Sequence, residues 1–204
     1  MNKNYIYPNN YLNIFSYFLI LLPIFLISGP FLSDLAVSTL AILSLFILRD
    51  KKFFNNYFFI IFVIFWALIL LSSLFSEDKA LSFKNSIFYF RFCFFSLFVW
   101  WILENNKKIL RKIYIVLIIC FAALIFDSIF QYINGKNIFN MDIVEKSRIS
   151  SFFGDELIMG GFVIRFLPLL VALIFYIKPK RINLTLLLVF ISSLILVVLS
   201  GERT

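Results

Sequence analysis

Residues 147–168 read S-R-I-S-S-F-F-G-D-E-L-I-M-G-G-F-V-I-R-F-L-P, a polar loop that passes into an apolar helix. The apolar part contains an arginine, Arg165. A charged side chain inside a membrane span is costly and usually serves a function. We therefore predict that this stretch enters a membrane and carries part of a functional site.

The composition assigns the whole chain to the membrane. Of its 204 residues, 62% are hydrophobic and 29 are Phe, which leaves too little polar surface to cover a water-soluble globule. The net charge of +8 comes from basic clusters between apolar runs, a pattern typical of cytoplasmic loops rather than of a nucleic-acid-binding surface. We expect contacts with membrane lipid and none with nucleic acid.

Seven apolar stretches approach the roughly 20 residues that a helix needs to cross a bilayer. The stretches are 11–28, 31–48, 57–75, 82–103, 112–133, 157–177 and 182–199. The predicted fold class is therefore all-α: a polytopic transmembrane helix bundle of about seven spans, forming a single transmembrane domain over residues 1–204.

Basic clusters predict the orientation of these spans. They follow spans two, four and six, at 49–52, 107–112 and 178–181. The positive-inside rule places these loops in the cytoplasm, and Lys3 places the N-terminus there too. The 134–156 loop then lies outside the cytoplasm, and it is much longer than a helical hairpin needs, as functional loops often are.

The last residue, Thr204, follows directly after an apolar span. We expect the chain to be the N-terminal part of a longer protein.

Arginines on several spans and loops are candidates for one cavity that opens outward: Arg91, Arg148, Arg165 and Arg203. At the rise of an α-helix, Arg165 is about 12 Å into span six and Arg91 about 14 Å into span four. Guanidinium groups bind phosphate oxygens in bidentate fashion, so this cluster predicts a pyrophosphate site. The predicted supporting acids are Asp127, Asp155, Glu156 and Glu202.

Structural roles stay open for several of these residues. Arg91 equally suits an interhelical ion pair with Asp127. Asp155 and Glu156, at the start of span six, could equally be helix N-terminal acids, which the helix dipole favours. Asp34, early in span two, suits a helix cap.

The chain contains no His, which removes the commonest general base and metal ligand. Cys93 and Cys120 lie in apolar stretches and show no metal-ligand spacing. We therefore predict no metal and no cofactor, and the catalytic residue stays unknown.

Segments 148–156 (RISSFFGDE), 160–168 (GGFVIRFLP) and 199–204 (LSGERT) resemble the O-antigen ligase and O-antigen polymerase family of bacterial envelope glycan enzymes. Segments 75–77 (FSE) and 88–92 (FYFRF) are similar to an earlier part of such proteins. In the spacing of its spans, the resemblance covers most of the chain.

The resemblance implies a multi-pass, metal-independent glycosyltransferase of the bacterial inner membrane, with its site facing the periplasm. Such an enzyme moves a glycan from undecaprenyl diphosphate to lipid A-core or to another lipid-linked glycan. Arg148, Arg165 and Arg203 match family positions that hold the donor diphosphate. The family's histidine, which is assigned to the acceptor hydroxyl, lies in a later periplasmic loop and has no counterpart here. We therefore expect this fragment alone to be inactive.

Other functions compete with glycan transfer. A transporter or flippase of a lipid-linked or anionic envelope precursor also uses intramembrane arginines. In a noncatalytic assembly subunit, the arginines would form structural ion pairs. Within the family, the sequence leaves ligase, polymerase and protein-glycosylating activities open.

Overall fold

The computed structural model describes residues 9–48, 51–143 and 148–201. These residues form α-helices and one 3-10 turn, with no β-strand among them. The α-helices are α1 Asn9–Ser28, α2 Pro30–Ile47, α3 Lys51–Phe54, α4 Tyr57–Ser73, α5 Lys79–Phe88, α6 Arg91–Asn105, α7 Ile109–Asn134, α8 Met159–Ile177 and α9 Ile182–Ser200. The prediction of an all-α polytopic membrane bundle is confirmed.

The predicted spans coincide with apolar helices to within a few residues. In the described part of the chain, five are long and apolar enough to cross a membrane: Pro30–Ile47, Lys79–Asn105, Ile109–Asn134, Met159–Ile177 and Ile182–Ser200. Two shorter apolar helices, Leu12–Ser28 and Tyr57–Ser73, cover the remaining predicted spans. The number of spans and the cytoplasmic N-terminus stay predictions.

The fourth predicted span contains a tightened turn between α5 and α6. The amides of Phe90, Phe92 and Cys93 each donate to the carbonyl three residues earlier, as in a 3-10 helix, and Tyr89 keeps right-handed helical angles. Such local tightening within a helix often marks a functional or strained position. Arg91 follows the turn directly.

The chain groups into two compact units. The first unit combines Met1–Leu19 with Ser33–Lys107, and the second combines Ile20–Leu32 with Lys108–Thr204. The organisation into one transmembrane domain stays a prediction.

Aromatic packing joins α1 to α6 within the first unit. The rings of Phe15 and Phe98 meet edge to face at 5.4 Å, and Phe98 is fully buried. Where α6 ends, Lys52 Nζ is 2.8 Å from a Glu104 carboxylate oxygen. This contact brings the segment after α2 to the end of α6.

The second unit packs α7, α8 and α9 around one apolar core. Leu117, Leu124, Leu170, Ile174 and Leu196 are fully buried within it. Leu117 and Leu124 are seven residues apart on α7, and Leu170 and Ile174 are four apart on α8, which is the spacing of one helix face. The long loop between α7 and α8 closes one end of this core.

Candidate functional site

Ser151, in the loop between α7 and α8, is held by hydrogen bonds to α7 and to another part of the loop. Its φ of +52° lies in the left-handed region, which non-glycine residues seldom adopt. Its amide donates to Gln131 Oε1 at 2.8 Å, and its carbonyl accepts from Asn137 Nδ2 at 2.9 Å. Its hydroxyl donates to Asp127 Oδ2 at 2.6 Å. Three hydrogen bonds thus impose a conformation that the residue would otherwise avoid.

Asp127 is the buried anchor of this arrangement. It lies in the second-last turn of α7 and has no exposed surface. Besides the Ser151 hydroxyl, it accepts the amide of Ile138 at 2.9 Å through Oδ1. No cation lies within ion-pair distance of Asp127 among the described residues. The carboxylate therefore fixes two parts of the loop onto the end of α7.

Asn137 extends the network along the loop. The residue is 2% exposed, and its Oδ1 accepts a hydrogen bond from the amide of Met141 at 2.8 Å. Gly135 ends α7 with a left-handed φ of +76°, and its amide donates to the carbonyl of Gln131 at 2.8 Å. The chain thus turns back over α7 immediately after the helix ends.

The loop is also joined to the end of α9. The amide of Ile149 donates to the carbonyl of Leu199 at 3.0 Å, and Arg148 Nε donates to the carbonyl of Ser200 at 3.5 Å. At the start of α8, the hydroxyl of Ser128 donates to Met159 Sδ at 3.2 Å. Two segments more than 40 residues apart in sequence, 148–151 and 199–201, therefore meet at one end of the second unit.

Arg165 lies on the exposed side of α8. Because α8 begins at Met159 rather than Leu157, Arg165 is about 9 Å from the helix start, not about 12 Å. Its side chain makes no hydrogen bond or ion pair with any described residue. Its guanidinium is therefore open to a ligand, or to the boundary region that a long side chain reaches by snorkelling.

The predicted acidic partners do not pair with arginines in the described part of the chain. Asp155 and Glu156 are exposed and precede the first residue of α8, so they are not in its first turn. The first turn of α8 contains no acid, and the alternative role of Asp155 and Glu156 as N-terminal helix acids stays a prediction. Asp127 accepts from an amide and a hydroxyl instead of an arginine.

Arg91, in the first unit, pairs with Asp34 and not with Asp127. Arg91 Nη2 is 2.6 Å from Asp34 Oδ1, and Nη1 donates to Ser38 Oγ at 3.2 Å. Asp34 is four residues, or about 6 Å, from the start of α2. Arg91 itself is twelve residues, or about 18 Å, from the start of the helical stretch Lys79–Asn105. The interpretation of Asp34 as a cap is replaced by this ion pair.

Glu202 and Arg203 lie outside the described residues. Within the described ranges, no group of three or more His, Cys, Asp or Glu side chains could hold a metal ion. The predictions for these two residues, and the prediction of no metal, stay predictions.

Comparison of the chain with protein families, with curated proteins and with solved structures finds no match. The O-antigen ligase and polymerase resemblance therefore rests on the quoted segments alone.

Ser151 and Asn137 are network residues that the sequence reasoning did not single out. The sequence did contain one sign of this network: Asp127 and Gln131 are four residues apart and therefore share a face of α7. That face also carries the buried Leu117 and Leu124. Two polar residues on a buried face require polar partners, although their spacing does not reveal which residues supply them.

Proposed function

We propose that this chain takes part in transferring a glycan from undecaprenyl diphosphate to an acceptor sugar at the periplasmic face of the bacterial inner membrane. The acceptor is lipid A-core or another lipid-linked glycan. Arg148, Arg165 and Arg203 hold the donor diphosphate. Arg91 is left out of this set because Asp34 already balances its charge.

The observation that carries the proposal is the junction of the Arg148 loop with the end of α9. The hydrogen bond from Ile149 to Leu199 joins two of the three segments, 148–156, 160–168 and 199–204, that carry the family resemblance in this half of the chain. The third segment begins α8, at the same end of the second unit. A diphosphate needs several donors converging from separate chain segments, and this junction supports such convergence.

The position of Arg165 also supports the proposed diphosphate site. It is exposed on the side of α8, about 9 Å from the helix start, and it has no acidic partner among the described residues. A lipid-linked donor reaches a membrane enzyme laterally, with its diphosphate near the headgroup level. An unneutralised guanidinium at that depth attracts such a diphosphate more strongly than an ion-paired one does.

The chemistry follows from the charge that develops in the reaction. The acceptor hydroxyl oxygen forms a bond to the anomeric carbon, while the bond from that carbon to the diphosphate oxygen breaks. The electron pair leaves with undecaprenyl diphosphate, and the hydroxyl proton passes to a base that this His-free chain does not identify. Fixed guanidinium groups stabilise the anionic leaving group, a role that requires no metal.

The test replaces Arg165 by Ala and by Lys in the natural gene, with its native flanking sequence. We expect Ala to lower glycan transfer about 100-fold or more, because one preorganised charge partner of the leaving group is lost. Lys should restore only part of the activity, since it lacks the bidentate geometry. Lys180→Ala, in the turn at the opposite end of α8, is the matched control and should leave transfer unchanged. Full activity of Arg165→Ala with normal insertion would refute the donor site.

The fate of the donor separates transfer from translocation. In a strain lacking the gene, a transferase defect leaves lipid-linked glycan accumulated on the periplasmic face, where added probes reach it in spheroplasts. Accumulation on the cytoplasmic face would instead assign the chain to a flippase.

A further inference from the structure

The first unit contains a cavity of about 350 Å³ between α2 and the turn that joins α5 to α6. This volume lies within the range of roughly 300–1,000 Å³ that is common for small-ligand pockets. Most of its lining is apolar, with Ala41, Leu45, Ile87 and Phe94 among the lining residues. The polar side chains in the lining are Ser38 and Arg91.

The polar part of the lining adjoins the Arg91–Asp34 ion pair. Along α2, the lining runs from Ser38, which Arg91 contacts, to Leu45, about 10 Å further along the helix. Asp34 precedes Ser38 by one turn, towards the start of α2. A molecule in the cavity would therefore meet charge near the helix end and hydrocarbon deeper along α2, which is the polarity of a lipid at a bilayer surface.

The ion pair retains unused hydrogen-bonding groups. A guanidinium has five N–H donors, and Arg91 uses one on Nη2 for Asp34 and one on Nη1 for Ser38. Asp34 binds Arg91 through Oδ1 alone, and its side chain is 56% exposed. Arg91 also lies against the ring of Phe92 at 5.1 Å, which helps to fix the guanidinium.

We propose that this cavity binds a zwitterionic phospholipid with a primary ammonium headgroup, such as phosphatidylethanolamine. The phosphate accepts hydrogen bonds from the remaining Nη donors of Arg91. The ammonium donates to the free carboxylate oxygen of Asp34, and one acyl chain enters the cavity beside Ala41 and Leu45. This site is separate from the proposed donor site, and its existence does not depend on glycan transfer.

The charge balance favours a zwitterion over an anionic lipid. Because Asp34 and Arg91 sum to zero net charge, a headgroup carrying only negative charge gains from Arg91 but is repelled by the exposed Asp34 carboxylate. A headgroup with both signs complements both partners. Removing the Asp34 charge should therefore change which lipid is bound as well as how tightly it binds.

The test is native mass spectrometry of the full chain released from nanodiscs of equimolar phosphatidylethanolamine and phosphatidylglycerol. The wild-type protein should retain one phosphatidylethanolamine, with a preference of about fivefold over phosphatidylglycerol, equivalent to about 1 kcal/mol. Asp34→Asn should reverse the preference towards phosphatidylglycerol, since Arg91 is then unopposed. Arg91→Gln should abolish retention of either lipid.

Two further variants separate lipid binding from a purely structural ion pair. Ala41→Leu fills the cavity without changing charge, so it should reduce retention of both lipids while the ion pair remains. Glu104→Gln breaks the exposed Lys52–Glu104 pair at the other end of the same unit and should leave the lipid preference unchanged. The thermal midpoint of each variant establishes that it is folded.

The opposite results would overturn the proposal. Equal retention of the two lipids by the wild-type protein, or an unchanged preference in folded Asp34→Asn, would show that the headgroup does not contact the ion pair. Undiminished retention in folded Ala41→Leu would show that the acyl chain lies elsewhere.

Discussion

Asp34 in the first unit and Asp127 in the second are both acids within apolar helices, yet they are satisfied in opposite ways. Asp34 is 56% exposed in its side chain and pairs with Arg91 at 2.6 Å. Asp127 has no exposed surface and accepts hydrogen bonds from one amide and one hydroxyl. The sequence predicted an arginine partner for Asp127 and a cap role for Asp34.

The difference reflects what each environment allows. At a helix end, an exposed carboxylate can use a long, mobile cation, because solvent or lipid headgroups share its charge. In a closed core, bringing in an arginine would bury a second large charge, which costs several kcal/mol before any gain from pairing. Fixed amide and hydroxyl dipoles satisfy a buried carboxylate without that cost. Mutations at the buried acid should therefore have larger effects than mutations at the exposed pair.

The largest expected effect is that of Asp127→Ala. It leaves the Ile138 amide and the Ser151 hydroxyl without their acceptor, so we expect a loss of about 3 kcal/mol in the free energy of unfolding. The thermal midpoint in detergent should fall, and protease should cleave the 135–157 loop faster. Asp127→Asn, which keeps one acceptor, is the control and should lose about a third as much. An Ala variant as stable as the wild type would show that Asp127 does not anchor the loop to α7.

Ser151→Ala should have the next largest effect. It removes the 2.6 Å hydrogen bond to Asp127 but keeps the left-handed backbone, and we expect a loss of about 1.5 kcal/mol. Ser151→Gly also loses the hydroxyl, but glycine adopts a positive φ without strain, so it should be more stable than Ser151→Ala by about 0.5–1 kcal/mol. Chemical unfolding of the two variants side by side measures this difference. The reverse order would mean that the φ of +52° is not retained in solution.

Arg91→Gln should cost less, about 1 kcal/mol, because the pair is partly exposed and Asp34 can turn to solvent or to lipid headgroups. The thermal midpoint in detergent and in phosphatidylethanolamine nanodiscs is the measurement. A loss as large as that of Asp127→Ala would mean that the pair is buried in the membrane. Asp34 and Asp127 would then not differ in burial as argued above.

Glu104→Gln should have the smallest effect. Lys52 and Glu104 are 50% and 44% exposed in their side chains, and such pairs contribute roughly 0–1 kcal/mol. We expect a change below about 0.5 kcal/mol in the same thermal assay, and an even smaller change at high salt, where the attraction is screened. A larger loss would show that this pair fixes the end of α6.

The helices were predictable because their cause is local. A long apolar run in lipid must satisfy its backbone groups internally, so its length and composition specify a helix wherever it lies. Predicted spans 31–48 and 182–199 accordingly coincide with Pro30–Ile47 and Ile182–Ser200. The tightened turn at Tyr89 was not predictable, because no Pro or Gly marks it.

The site was predictable only in part. The motif around Arg148 lies in a loop that the bond from Ile149 to Leu199 joins to the last apolar helix, and its role as a site stays a prediction. The partners of Asp127 and Arg91 were not foreseen. Both depend on residues distant in sequence, and any acid near a helix end is an equally plausible partner when only the sequence is read.

The sequence by itself determined that this chain is a bundle of apolar helices, because burial of backbone in hydrocarbon requires nothing beyond each segment's own residues. The tertiary structure alone decided that Asp34 forms an ion pair with Arg91 and that Asp127 accepts hydrogen bonds from Ser151 and Ile138. Those choices depend on which side chains are shielded from water once the helices have packed, and shielding is a property of the assembled fold.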